Sequence, residues 1–134
     1  MTYTKSDLPE AQIRAVLDAD GLLAGFDVQM MSYAEPTTAT SRVVLIRVDG
    51  SGATSTEDHQ FPTMLIAVFG AVADSDKAGL KIKAENIAKK LRELEPVSRI
   101  TGVQNLTNPF GPYFTDSGRP VFEINFTLAL SEEI

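Results

Sequence analysis

Apolar positions recur along the 134-residue chain with two different periods, and the period marks the element. Ile13, Val16 and Leu17, with Leu8 and Ala11 behind them, fall at three- and four-residue steps and give one apolar face to a helix from about Asp7 to Asp20. Asp7 with Glu10 makes a capping-box pattern, Pro9 suits a first turn, and Gly21 suits the stop. Leu80, Ala84, Ile87, Leu91 and Leu94 repeat the same spacing and predict a second helix from about Asp76 to Glu93, capped by Asp74 or Asp76 and ended by Pro96.

Elsewhere the period is two, or the run is apolar throughout. Phe26, Val28 and Met30 alternate with Asp27 and Gln29, as in a half-buried strand, and "RVVLIRVD" is apolar on both faces at its middle, as in a central one. "FPTMLIAVFGAV", Phe61 to Val72, reads as a buried strand entered at Pro62, and "SRITGVQ" as a short one. In "VFEINFTLALS", Phe122, Ile124, Phe126, Leu128 and Leu130 share one face and Glu123, Asn125 and Thr127 the other. "AEPTTATS" reads as a loop, Gly50 to Gln60 as an exposed, mobile loop or long hairpin tip, and "SEEI" as a frayed end. Together these predict a single α+β domain over 1–134, with a mostly antiparallel sheet of four to five strands and two helices packed on one face.

One segment resists both periods. "NPFGPYFTDSGRP" places Phe110, Tyr113 and Phe114 among so many Pro and Gly residues that neither helix nor sheet is expected to absorb them. Two readings follow. The rings fold back as a lid over the sheet edge, or they stay outside and, with Arg119 nearby, have the composition of an interface hot spot.

Cysteine is absent, which removes disulfides, thiolate nucleophiles and Cys-type metal sites. The formal net charge of -6 disfavours nucleic-acid binding by overall field, and no sequence-specific nucleic-acid partner is expected. The bases are uneven, however: Lys77, Lys81, Lys83, Lys89, Lys90 and Arg92 lie in one short segment. They read either as a solvated face, with Glu85 pairing Lys81 and Lys89 at i,i+4, or as a docking surface in which Lys81, Lys89 and Lys90 meet an acidic partner. No apolar run is long enough for a membrane helix, and "MTYTKSDLPE" lacks a basic patch followed by an apolar stretch, so a cytosolic start is expected.

Catalytic chemistry finds little material. His59 stands beside Glu57 and Asp58, but adjacent residues seldom converge on one ion, so no metal site is expected. "GSG" at Gly50 to Gly52 lacks the helix and lysine of a phosphate loop, and Ser117 in "TDSG" lacks the strand-turn-helix setting of a nucleophile. Neither a catalytic group nor a cofactor is expected.

In size and order of elements, in "FPTMLIAVFG" leading into a charged helix, and in "TDSGRPVFEINFTLALS" as a closing strand after a Gly/Pro loop, the chain from Phe26 to Ser131 resembles the tail terminator (tail completion, minor tail) proteins of long, non-contractile-tailed bacteriophages. The resemblance implies a structural subunit that forms a hexameric ring on the growing tail tube, halts polymerisation and joins the tail to the head connector. Its partners would be further copies of itself, the tube protein and the connector protein, in the virion tail and, during assembly, in the host cytoplasm. No functional residue transfers with it. Other readings are a different head–tail connector or minor capsid component, or a small α+β ligand- or partner-binding domain with the aromatic loop as its lid.

Overall fold

Both amphipathic runs form helices in the computed structural model, which describes residues 2–49, 54–55 and 59–132. Helix α1 spans Pro9–Ala19 and α2 spans Lys77–Arg92. The start of α1 differs from the expected Asp7–Glu10 capping box. A 3₁₀ turn, Lys5–Asp7, precedes it, and there Thr4 is the cap: its backbone N–H and hydroxyl both donate to the Asp7 carboxylate, at 2.8 and 3.0 Å. Helix α2 starts as expected, with the Asp76 carboxylate accepting from the Gly79 N–H at 3.1 Å.

Eight strand segments form one sheet: β1 (Asp27–Met30), β2 (Val43–Val48), β3 (Thr54–Ser55), β4 (His59–Phe61), β5 (Thr63–Phe69), β6 (Ile100–Gln104), β7 (Phe110–Phe114) and β8 (Pro120–Ser131). The count exceeds the expected four to five because long strands are interrupted. β4 and β5 keep one register along β8, with His59 opposite Ser131 and Thr63 opposite Thr127, and are divided only at Pro62. On the other side of β8 lie β6, with Val103 opposite Leu128, and then β7, with Tyr113 opposite Val121. The sheet is antiparallel except at β1, which pairs with β2 in parallel. Its free edges, among the described residues, are therefore β1 and the short β3 at one side and the β6–β7 row at the other.

Both helices cover one face. Ile13 and Leu17 of α1 and Leu80, Ala84, Ile87 and Leu91 of α2 pack on Val44, Ile46, Met64, Ile66, Phe122, Ile124, Phe126 and Leu128. A fully buried Leu, Ile or Phe contributes about 1.5 to 3 kcal/mol, so this layer dominates stability. The opposite face carries a smaller apolar cluster, Val43, Leu45, Leu65, Ala67, Phe69 and Val121, with Tyr33 stacked on Phe69 at 4.2 Å between centroids. None of the described helices is long and apolar enough to cross a membrane.

Buried arginines lock both ends of β8. At its start, Arg119 donates to Glu35 (2.6 Å), to the carbonyls of Gly70 and Thr38 (both 3.1 Å) and to that of Ser41. At its end, Arg99 donates to the Ser131 carbonyl (2.8 Å), to Gln60 (3.1 Å) and to the Asp7 carbonyl, and lies 4.4 Å from the Tyr3 ring centroid. The expected fraying from Ser131 onward does not extend to Ser131 and Glu132. Ser131 is the last residue of β8, and Tyr3 donates to the Glu132 carboxylate at 2.7 Å. Of the expected loop Gly50–Gln60, Thr54–Ser55 and His59–Gln60 are strand, while the rest, including Gly50 to Gly52, Glu57 and Asp58, lies outside the described residues.

Candidate assembly surface

The segment expected to stay outside regular structure is a strand, and the sheet holds it in an unusual way. From Phe110, opposite Glu123, to Tyr113, opposite Val121, β7 advances three residues while β8 advances two. Strict alternation would put Phe110 and Tyr113 on opposite faces; the extra residue brings both onto the helix-free face, beside each other at 6.3 Å. Gly111 sits within this bulge at φ +136, and a Cβ there would strike the Val121 carbonyl, so only glycine fits. The Gly111–Pro112 peptide is cis.

Phe114 falls opposite Pro120 on the helix side, with the Lys77 ammonium of α2 at 6.0 Å from its ring. The three rings thus flank both faces of one free sheet edge. They remain 50%, 40% and 57% exposed in chain order, which is not the buried contact a lid requires. Tyr113 is fixed by donating to the Glu123 carboxylate. Partial burial and that bond raise its phenol well above the usual tyrosine range.

Arg119 does not belong to this surface. It is fully buried, and its guanidinium ties the Glu35–Ser41 loop to the ends of β5 and β8, so it cannot anchor a partner. Ser117 serves the same junction: its hydroxyl donates to Glu35 at 2.7 Å, and this bond, with those from Arg119, holds the Glu35 carboxyl below its ordinary range. Arg119 is near the aromatics in sequence, whereas its contacts are made to the Glu35–Ser41 loop, with Glu35 84 positions earlier, and to Gly70, 49 positions earlier.

The α2 cations divide. Lys90 pairs with Asp20 at 2.9 Å, and Lys83 donates to the Leu22 carbonyl at 2.8 Å with Phe26 under its ammonium. Lys81 and Lys89 are exposed, and the pairing with Glu85 expected for both does not form among the described residues. They are free for a partner. An open cleft of about 700 Å³ lies between the start of β1 and the β5–α2 connection, lined by Asp27, Ser41, Arg42, Ala73, Asp74 and Ser75. Its two central charges bind each other, Arg42 Nε to Asp74 at 2.8 Å, rather than facing a ligand. Asp74 also accepts from the N–H groups of Ala71 and Asp76; Arg42 first, then these bonds, lower its pKa to about 2.

His59, once weighed as a metal ligand, lies in β4 with its ring 6.1 Å from that of Phe61. No metal-holding group of three His, Cys, Asp or Glu side chains occurs among the described residues.

The family model described as phage tail termination protein matches residues 8–132. Among solved structures, a chain from the virion of a native gene transfer agent particle superposes with a TM-score of 0.62 at 15% identity, covering 97% of this chain and 99% of that one. That likeness is one of fold. Among curated proteins there is no match.

Proposed function

Because the chain belongs to the phage tail termination protein family and is a structural component of a phage tail, we propose that it caps the growing tail tube. In this reading identical subunits close into a ring, six as the expected number, on the tube end. The ring stops further addition of tube protein and offers its far face to the head connector protein, with assembly taking place in the host cytoplasm.

The observation that carries the reading is the aromatic edge: Phe110, Tyr113 and Phe114 exposed along β7, at a sheet margin with no partner strand among the described residues. A soluble monomer seldom leaves rings clustered in water, and an open edge invites pairing, so such a margin is built to be covered by another chain. The contact is made edge to edge between unlike surfaces, which yields a ring when the rotation closes. Weak contacts between free subunits become strong once the tube end holds neighbours side by side, because templating raises their effective concentration. Lys81 and Lys89, exposed on α2, supply charge for register and rate on an acidic partner.

The test replaces Phe110, Tyr113 and Phe114 together with Ala. Light scattering and electron microscopy with purified tail tubes should show a folded chain that forms no rings and leaves tube ends open. A triple variant that still caps tubes as the parent does would remove this reading.

A further inference from the structure

At the other margin of the sheet lies a groove of about 320 Å³, lined by Lys5, Leu8, Glu10, Ala11, Met30 and Met31. Its walls are apolar, and Met30 and Met31 are exposed. Glu10, at the second position of α1, is different: it is only 7% exposed, yet its carboxylate has neither a hydrogen bond nor an ion pair among the described residues. Its oxygens keep contact with solvent, which leaves the carboxylate open to an incoming ammonium at the rim of an apolar groove. The groove therefore calls for one apolar group and one cation side by side.

The opposite margin of the same chain presents that combination. Phe114 is the most exposed of the three rings, and the Lys77 ammonium stands 6.0 Å from its centroid, bound to no carboxylate among the described residues. We infer that the groove between α1 and β1 receives Phe114 of a second copy, with Lys77 of that copy closing on Glu10. Methionines suit the ring, since a thioether packs favourably against an aromatic edge, and the charges are complementary. Giver and receiver lie at opposite margins, so each copy can do both at once and the contact repeats head to tail. This rests on the ring reading and names its receiving surface.

The chain has no cysteine, which allows a direct experiment. One variant carries Met31→Cys, a second carries Phe114→Cys, and a third carries both; Val97→Cys with Phe114→Cys is the control, Val97 being exposed elsewhere. With tail tubes present and mild oxidation, the two single variants should cross-link only when mixed. The double variant should give a ladder of covalent oligomers, and the control should give none. Rings seen by light scattering without Met31–Phe114 cross-links would overturn the groove assignment and leave the capping function standing. A parent chain that never associates would overturn both, whereas loss of association confined to the Phe114→Cys chains is the outcome expected when that ring seats the contact. Separately, Glu10→Gln and Lys77→Gln should each raise the concentration needed for half assembly about tenfold; an unchanged midpoint in both would overturn the charge pairing.

Discussion

Arg119 and Arg99 are the largest side chains fully inside the protein, and each answers carbonyl oxygens from segments far apart in sequence. Arg119→Met keeps much of the volume but strips the guanidinium from the carbonyls of Thr38, Ser41 and Gly70 and from the Glu35 carboxylate, which keeps only its hydroxyl donors. The loss should be about 3 kcal/mol, read as a fall in the urea midpoint. Asp74 gives a second outcome. Its folded pKa, about 2, lies below the ordinary value of 3.8. Its contribution of about 2 kcal/mol is therefore full above about pH 4 and drains away as the pH falls towards 2. Unfolding measured across that window should show this slope in the parent and lose it in Asp74→Asn. None of these partnerships was legible in the sequence, because Arg42 and Asp74 are 32 positions apart and nothing local selects that pair over Asp76 next door.

At the scale of elements, α2 sits close to the sheet because Gly70 directly follows β5. A Cβ there would lie 2.5 Å from Leu80 Cδ1 and 2.9 Å from Pro120 Cγ, both within the packed layer. Gly70→Ala should push α2 outward and cost about 1 to 3 kcal/mol, visible as a lower melting temperature with helix content retained. Helices and uninterrupted strands were readable because one period governs each: Leu80 to Leu91 marks α2, and Phe122 to Leu130 marks β8. β7 was not, since its bulge spoils the alternation on which a strand is recognised, and its Gly and Pro residues signal a turn. What could be read there was that the rings had no place in a core. The corrected view is a strand that keeps them exposed, not a loop.

For the whole molecule, the formal net charge of -6 coexists with exposed cations on one helix. Replacing Lys81 and Lys89 with Glu should leave the melting temperature within a few degrees. Binding to an acidic tube or connector surface should become roughly tenfold slower at low salt, with the gap closing as salt is added. Equal rates for both chains would mean that these lysines only keep the helix solvated. The α+β class and the helix-covered face followed from pattern, but the mixed sheet did not, because the parallel alignment of β1 depends on how the Glu35–Ser41 connection is pinned by Arg119.

β8 also sets an order of events in time. It is the shared neighbour of β4, β5, β6 and β7, and it follows all of them along the chain. During translation β6 and β7 can gain no partner strand, and the β4–β5 row no second neighbour, until the ribosome has made β8. The adhesive margin is therefore put in register only after synthesis has passed that point, and an aborted polypeptide would lack the means to poison a tail under construction.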